Sequence, residues 1–148
     1  MKLLLLAGGR AAAAPETREA EAYLKRAAAA GRRIGLKAAE LVEIDERKAG
    51  WLDAIPKGGV LLALDEHGDN LSSLELAALM RRHLDGGVPA LCWAIGAADG
   101  LPEAVRRAAR HTVAFGRATW PHMLVRVMAA EQVYCAVTLL TDHPYHRA

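Results

Sequence analysis

The sequence predicts an α/β fold: a mostly parallel sheet of about five strands with helices on both faces. Short Leu-, Val- and Ile-rich runs alternate with amphipathic stretches, and Gly or Ser punctuates most of the junctions between them. Aromatic residues make up only 5% of a chain that is 53% hydrophobic, so the core must be built from small side chains on closely approaching elements. The length of 148 residues suits one domain spanning 1–148, because a single core commonly serves about 100–200 residues.

Leu3 to Ala7, ended by Gly8-Gly9, reads as a short strand buried on both sides. Pro15 and Glu16 open a helix in which Ala20, Tyr23, Leu24 and Ala27 recur on one face and Gly31 marks the stop. Glu40 to Ile44 alternates like a second strand, Trp51 to Ile55 suggests a short helix, and Val60 to Leu64 is a third strand. Ser72 or Ser73 caps a helix running to about Leu84, which Gly86-Gly87 ends. Ala90 to Ile95 is a fourth buried strand. Leu101 to Ala109 gives a further helix, Thr112 to Phe115 a fifth strand, and Pro121 starts a last helix through about Leu140.

Several function classes are disfavoured. The longest uninterrupted apolar run, Val88 to Ile95, is far shorter than the roughly 20 residues that span a bilayer, so no membrane span is expected. The apolar start breaks at Gly8-Gly9-Arg10, short of a secretory leader's core of about 7–15 residues. Cys92 and Cys135 lack the C-x-x-C spacing of a zinc or redox motif, and a reducing cytoplasm fits them best. No phosphate-binding loop of the G-x-x-x-x-G-K-[ST] kind occurs, which disfavours nucleoside triphosphate chemistry. The net charge is +2, too little for tight nonspecific binding to nucleic acid. It is unevenly spread: ten Lys/Arg against seven Asp/Glu in 1–50, three against seven in 51–100, six against three in 101–148.

In an open parallel sheet the ligand crevice lies beyond the carboxyl ends of the strands. That rule selects the loops Leu64 to Gly68, Gly96 to Gly100, and Phe115 to Pro121. Each contains a glycine, and Gly96 and Gly100 bracket the second; glycine allows close backbone approach to a ligand, although a tight turn is the plainer reading of any one. The last helix is apolar on nearly every side, which implies burial all round or a subunit interface. Arg126 interrupts it and must be paired, either in a salt bridge, intrahelical or between subunits, or with a substrate. The tail after it holds Asp142, His143, Tyr145, His146 and Arg147, five side chains that can exchange protons, donate hydrogen bonds or stack on a base. Such density suits a substrate-facing segment better than a frayed terminus. Zinc ligation by His143 and His146 competes, but two ligands without a nearby Cys do not make a site, and no metal is expected.

Trp120-Pro121-His122-Met123-Leu124-Val125-Arg126-Val127, Ala130-Glu131-Gln132-Val133-Tyr134 and His143-Pro144-Tyr145-His146-Arg147 together resemble the C-terminal signature of the RlmH family. Weaker likeness runs upstream through Gly9-Arg10, Val42-Glu43-Ile44, Ala63-Leu64-Asp65, Ser72-Ser73 and Ile95-Gly96. Members of that family are SPOUT-class methyltransferases of pseudouridine N3 in large-subunit ribosomal RNA. The resemblance implies a C-terminal trefoil knot that holds S-adenosyl-L-methionine, and a homodimer. By matching positions the cofactor would contact Leu64, Gly96, Gly100 and the loop Phe115, Gly116, Arg117, Ala118, Thr119 and Trp120. His122 and Arg126 would serve the substrate or the interface. The tail residues His143, Tyr145, His146 and Arg147 would be catalytic, acting on the target nucleotide beside the partner's cofactor. His146 or His143 would handle the proton of N3, Tyr145 would contact the base, and Arg147 a phosphate or carbonyl. Ala97 stands where the family usually has a second glycine, and Cys135 where an Arg commonly follows the Tyr. A catalytically degenerate RNA- or cofactor-binding protein of the same fold is the alternative. The expected substrate is RNA on the large subunit or assembled ribosome, read by shape and exposed bases rather than by charge.

Overall fold

The computed structural model describes residues 1–47 and 50–146. Its elements run β1 (Lys2–Gly8), α1 (Pro15–Gly31), β2 (Ala38–Ile44), β3 (Val60–Asn70), α2 (Ser73–Asp85), β4 (Ala90–Ile95), α3 (Glu103–Ala108), β5 (His111–Ala114) and α4 (His122–Leu140). Short 3₁₀ turns at Arg32–Ile34 and Leu52–Ala54 complete the order. The five strands form one sheet in the order β2-β1-β4-β3-β5, and every neighbouring pair is parallel.

Strict alternation in the strands divides the core into two layers. Leu3, Leu5 and Ala7 of β1 point with Leu91, Trp93 and Ile95 of β4 into the larger layer, beneath α1, α2 and α4. Leu4, Leu6, Cys92 and Ala94 point the other way, toward Trp51, Leu101 and Val105. Both faces being covered explains why these strands read as continuous apolar runs. Small residues let α1 and α4 approach closely: Ala20 and Ala27 of one, and Ala129, Ala130 and Ala136 of the other, are fully or almost fully buried. Ser72 caps α2 by accepting from the Glu75 backbone N–H, and the Glu75 carboxylate returns the bond to the Ser72 N–H.

The structure corrects three expectations. β3 does not stop at Leu64; it continues to Asn70 through a bulge, with Leu64 and Asp69 both opposite Val113 of β5. The segment 65–68, expected as a loop, is that bulge. Gly68 makes it possible, since a Cβ there would meet backbone atoms of Thr112 and Val113 at 2.6 Å. α3 is shorter than expected, beginning at Glu103 behind Pro102. Finally, α4 is by length and composition long and apolar enough to cross a membrane, a possibility hidden from a count of uninterrupted apolar residues by Arg126 and Glu131. Half of that stretch is buried here against α1, α2 and the sheet, which accounts for its composition.

Candidate active site

The carboxyl ends of β3, β4 and β5 open into a cavity of about 540 Å³. Leu64, Gly96, Gly100, Phe115, Gly116, Ala118, Thr119, Trp120 and His122 all line it. Three segments far apart in the chain therefore meet where the strand-end rule places them. Arg117 lies in the same loop but is not part of the wall. Gly96 permits the tight return of its loop: a Cβ would approach the Gly100 carbonyl carbon to 2.6 Å and the Leu101 nitrogen to 2.8 Å. Trp120 is fixed from behind, its indole Nε1–H donating to the Phe115 carbonyl at 2.9 Å.

The bulge in β3 supplies the polar part of the wall. Bulges re-aim side chains, and this one brings Asp65, Glu66 and His67 to the cavity. Asp65 Oδ1 accepts from the His67 backbone N–H at 2.9 Å and lies 3.1 Å from His67 Nδ1. Arg106 of α3 sits 3.6 Å from Asp65 Oδ2 and donates to the Leu101 carbonyl. The His67 N–H, then the imidazole and the Arg106 charge, hold the Asp65 carboxyl below its ordinary range against partial burial. Glu66 accepts from Thr119 Oγ1 at 2.8 Å, tying the bulge to the loop after β5. Sequence reasoning had selected this segment but had not taken Asp65, Glu66, His67 or Arg106 as site residues.

Arg126 is elsewhere. It is 1% exposed, and its guanidinium is committed to the protein: Nη1 to Glu43 Oε2 at 2.9 Å and Thr17 Oγ1 at 3.1 Å, Nη2 to the Gly8 carbonyl at 3.1 Å. Glu43 also accepts from the Ala11 N–H at 2.6 Å. The pair is thus neither intrahelical nor, in this chain, a contact offered to a substrate; it anchors the segment after β1.

The tail folds back on the far part of α4. Tyr145 donates from its hydroxyl to Glu131 at 3.1 Å and packs on Tyr134 with ring centroids 4.5 Å apart. Burial first, then Glu131, pushes its hydroxyl above the ordinary range. His143 Nδ1 accepts from the Tyr145 N–H at 3.1 Å, and His146 Nδ1 lies 3.0 Å from Cys135 Sγ. None of His143, Tyr145 and His146 reaches the cavity of its own chain. Arg147 falls outside the described residues. No group of three or more His, Cys, Asp or Glu that could hold a metal ion occurs among the described residues.

A parallel sheet with a strand-end cavity of this size, walled by apolar side chains and a few carboxylates, is the arrangement of an α/β protein with a small-molecule site at its strand ends. Within that class the chain belongs to the SPOUT methyltransferase family, whose model, described as "Predicted SPOUT methyltransferase", matches residues 1–146. It is 48% identical to the ribosomal RNA large subunit methyltransferase H of Methylocella silvestris, with 99% of each chain covered. It is 46% identical to the protein of the same name from Xanthobacter autotrophicus, with 100% of each covered. In fold it is similar to the structure of a probable methylase family protein from Haemophilus influenzae, with TM-score 0.55 and 10% identity over 99% of this chain and 70% of that one.

Proposed function

We propose that this protein methylates N3 of a pseudouridine in large-subunit ribosomal RNA, on the assembled ribosome, with S-adenosyl-L-methionine as donor. The observation that carries the reading is the strand-end cavity. Its volume suits a ligand of nucleoside size. Leu64, Ile95, Leu101 and Phe115 offer apolar surface for a purine, while Asp65, Glu66 and Asp99 offer negative charge to a cationic donor and acceptors to its hydroxyl groups. The wall therefore fits the donor, and Gly96, Gly100 and the loop 115–120 would hold it through their backbone.

The donor, when bound, supplies an electrophilic methyl group on sulfonium sulfur. The chain must then align the target nitrogen and keep water out. We place His122 and Trp120 at the mouth, where a base could enter. His143, Tyr145, His146 and Arg147 would contact the nucleotide across a subunit boundary, each tail serving its partner's cavity in a homodimer. The tail's distance from its own cavity supports this, as do the exposed apolar side chains Leu74, Leu124 and Trp120. The trefoil knot and a cytoplasmic setting belong to the same reading.

Incubation of the purified protein with ribosomes from a strain lacking its gene, using methyl-labelled donor, tests it. Label is expected in one pseudouridine of the large-subunit RNA, identified by mass spectrometry. No transfer to ribosomal RNA, with the donor bound, would leave the degenerate binding protein as the better description. A cavity-defective subunit mixed with a tail-defective subunit should regain activity that neither has alone.

A further inference from the structure

Transfer of a methyl group to a ring N–H releases a proton, and some group near the reacting nitrogen must accept it. A neutral imidazole can do so only through the nitrogen that carries its lone pair. In the docked tail both imidazoles have Nδ1 engaged by the protein. His143 Nδ1 accepts from the Tyr145 N–H, which puts the His143 proton on Nε2. His146 Nδ1 is taken up by the Cys135 thiol, whose Sγ lies 3.0 Å away.

His67 has the opposite arrangement. Its Nδ1 lies 3.1 Å from Asp65 Oδ1, and an ionised carboxylate only accepts, so Nδ1 carries the proton. Nε2 is left with a free lone pair on an 82% exposed side chain at the cavity wall, its nearest acidic neighbour, Glu66 Oε1, being 4.0 Å away. Glu66 is itself held by Thr119. The other imidazole of the wall, His122, has no hydrogen bond to orient it among the described residues.

We propose that His67, oriented by Asp65, is the base that takes the proton from the target nitrogen. The inference rests on the methyltransferase reading above. The N–H bond breaks toward His67 Nε2, the nitrogen electron pair forms the new N–CH₃ bond, and the S–CH₃ bond breaks with its electrons remaining on sulfur as a neutral thioether. The imidazolium then gives its proton to water. Asp65 is a positioning residue: it fixes the tautomer and stabilises the transient cation, as a carboxylate behind an imidazole does. The charged and titratable groups that share the cavity wall with His67 are Asp65 and Glu66 on its own strand, Arg106 from α3, Asp99 from the loop after β4, and His122 from α4.

The test is single-turnover methylation of ribosomes lacking the modification, across pH, by wild type, His67→Gln, Asp65→Asn and His122→Gln. Donor binding is followed by calorimetry and imidazole tautomers by nitrogen NMR. His67→Gln is expected to lose about 10²–10⁴-fold in rate with donor affinity intact, and to lose the acid limb of the pH profile. Asp65→Asn should show a smaller loss and a shift of His67 away from the Nδ1–H tautomer expected in wild type. An unchanged rate and pH profile in His67→Gln overturns the inference, as does loss of the acid limb in His122→Gln alone. An inactive wild type would instead refute the methyltransferase reading, while the NMR tautomer would still report on the Asp65–His67 pair.

Discussion

Arg126 and Glu43 meet at 2.9 Å, joining the start of α4 to the end of β2 across a nearly closed interior. The same guanidinium satisfies Thr17, which is fully buried, and the Gly8 carbonyl. Breaking such a pair strands one charge without its partner. Arg126→Met should therefore lower stability by about 3–5 kcal/mol, measured by urea denaturation. The double variant Arg126→Met/Glu43→Gln should recover part of that loss. Equal stability of wild type and Arg126→Met would show that the interior tolerates the lone carboxylate.

Acid should weaken the fold through a second pair. His83 Nε2 and His111 Nε2 are 2.9 Å apart, bridging α2 and the first residue of β5. Burial first lowers both from the ordinary value; Arg110 and Arg82 lower both further, and His83 acts on His111. A lowered folded-state value means that the unfolded chain binds protons more readily. This contribution is complete above about pH 6.5 and is lost as pH falls through the depressed folded values. Thermal midpoints between pH 8 and 5 should fall accordingly, and His83→Gln should flatten the dependence in that window. A flat wild-type profile would remove the pair from the account.

Two glycines, one in the cavity wall and one in the β3 bulge, should resist even a methyl group. Gly96→Ala forces its loop away from Gly100 and Leu101, and donor affinity should drop by about tenfold or more in calorimetry. Gly68→Ala pushes the bulge off β5 and should cost about 1–3 kcal/mol in stability. Wild-type donor affinity in Gly96→Ala would mean that this loop does not touch the donor.

Both cysteines should be silent in the native protein. Cys92 is fully buried, and burial raises its thiol to about 11; Cys135 is 3% exposed with its thiol also raised. Reaction with a chromogenic disulfide at pH 8 should be negligible before denaturation and give two equivalents after it. Rapid labelling of Cys135 alone would show that the tail spends much of its time undocked.

Ending the chain after Asp142 should leave donor binding unchanged and reduce methylation by ~10²-fold or more, because the nucleotide would lose its alignment. Preserved methylation would confine the tail to packing on α4.

The strands were readable because a sheet covered on both faces needs apolar side chains at every position, as in Leu3 to Ala7 and Ala90 to Ile95. The Ser72 cap and the three strand-end loops were readable because their chemistry is local or follows from parallel topology. Strand order was not, since nothing in β1 names β4 as its neighbour. The bulge at 65–68 was missed because its cause, the backbone of Thr112 and Val113 against Gly68, lies more than forty positions along the chain. The partner of Arg126 was hidden for the same reason: a charge in an apolar helix announces that it needs an anion, without saying which. The docking of Tyr145 on Glu131 and of His146 beside Cys135 depends on the tail turning at Asp142, whose φ of 55° is unusual for a residue other than glycine.

The contacts of Arg126 also constrain how the protein comes into being. Its three partners lie 83, 109 and 118 positions earlier in the chain. During synthesis the bonds from this guanidinium to Thr17, Glu43 and the Gly8 carbonyl cannot close until α4 has been made. The latch that ties β1, α1 and β2 together is thus a contact of high sequence separation, of the kind that forms after local structure.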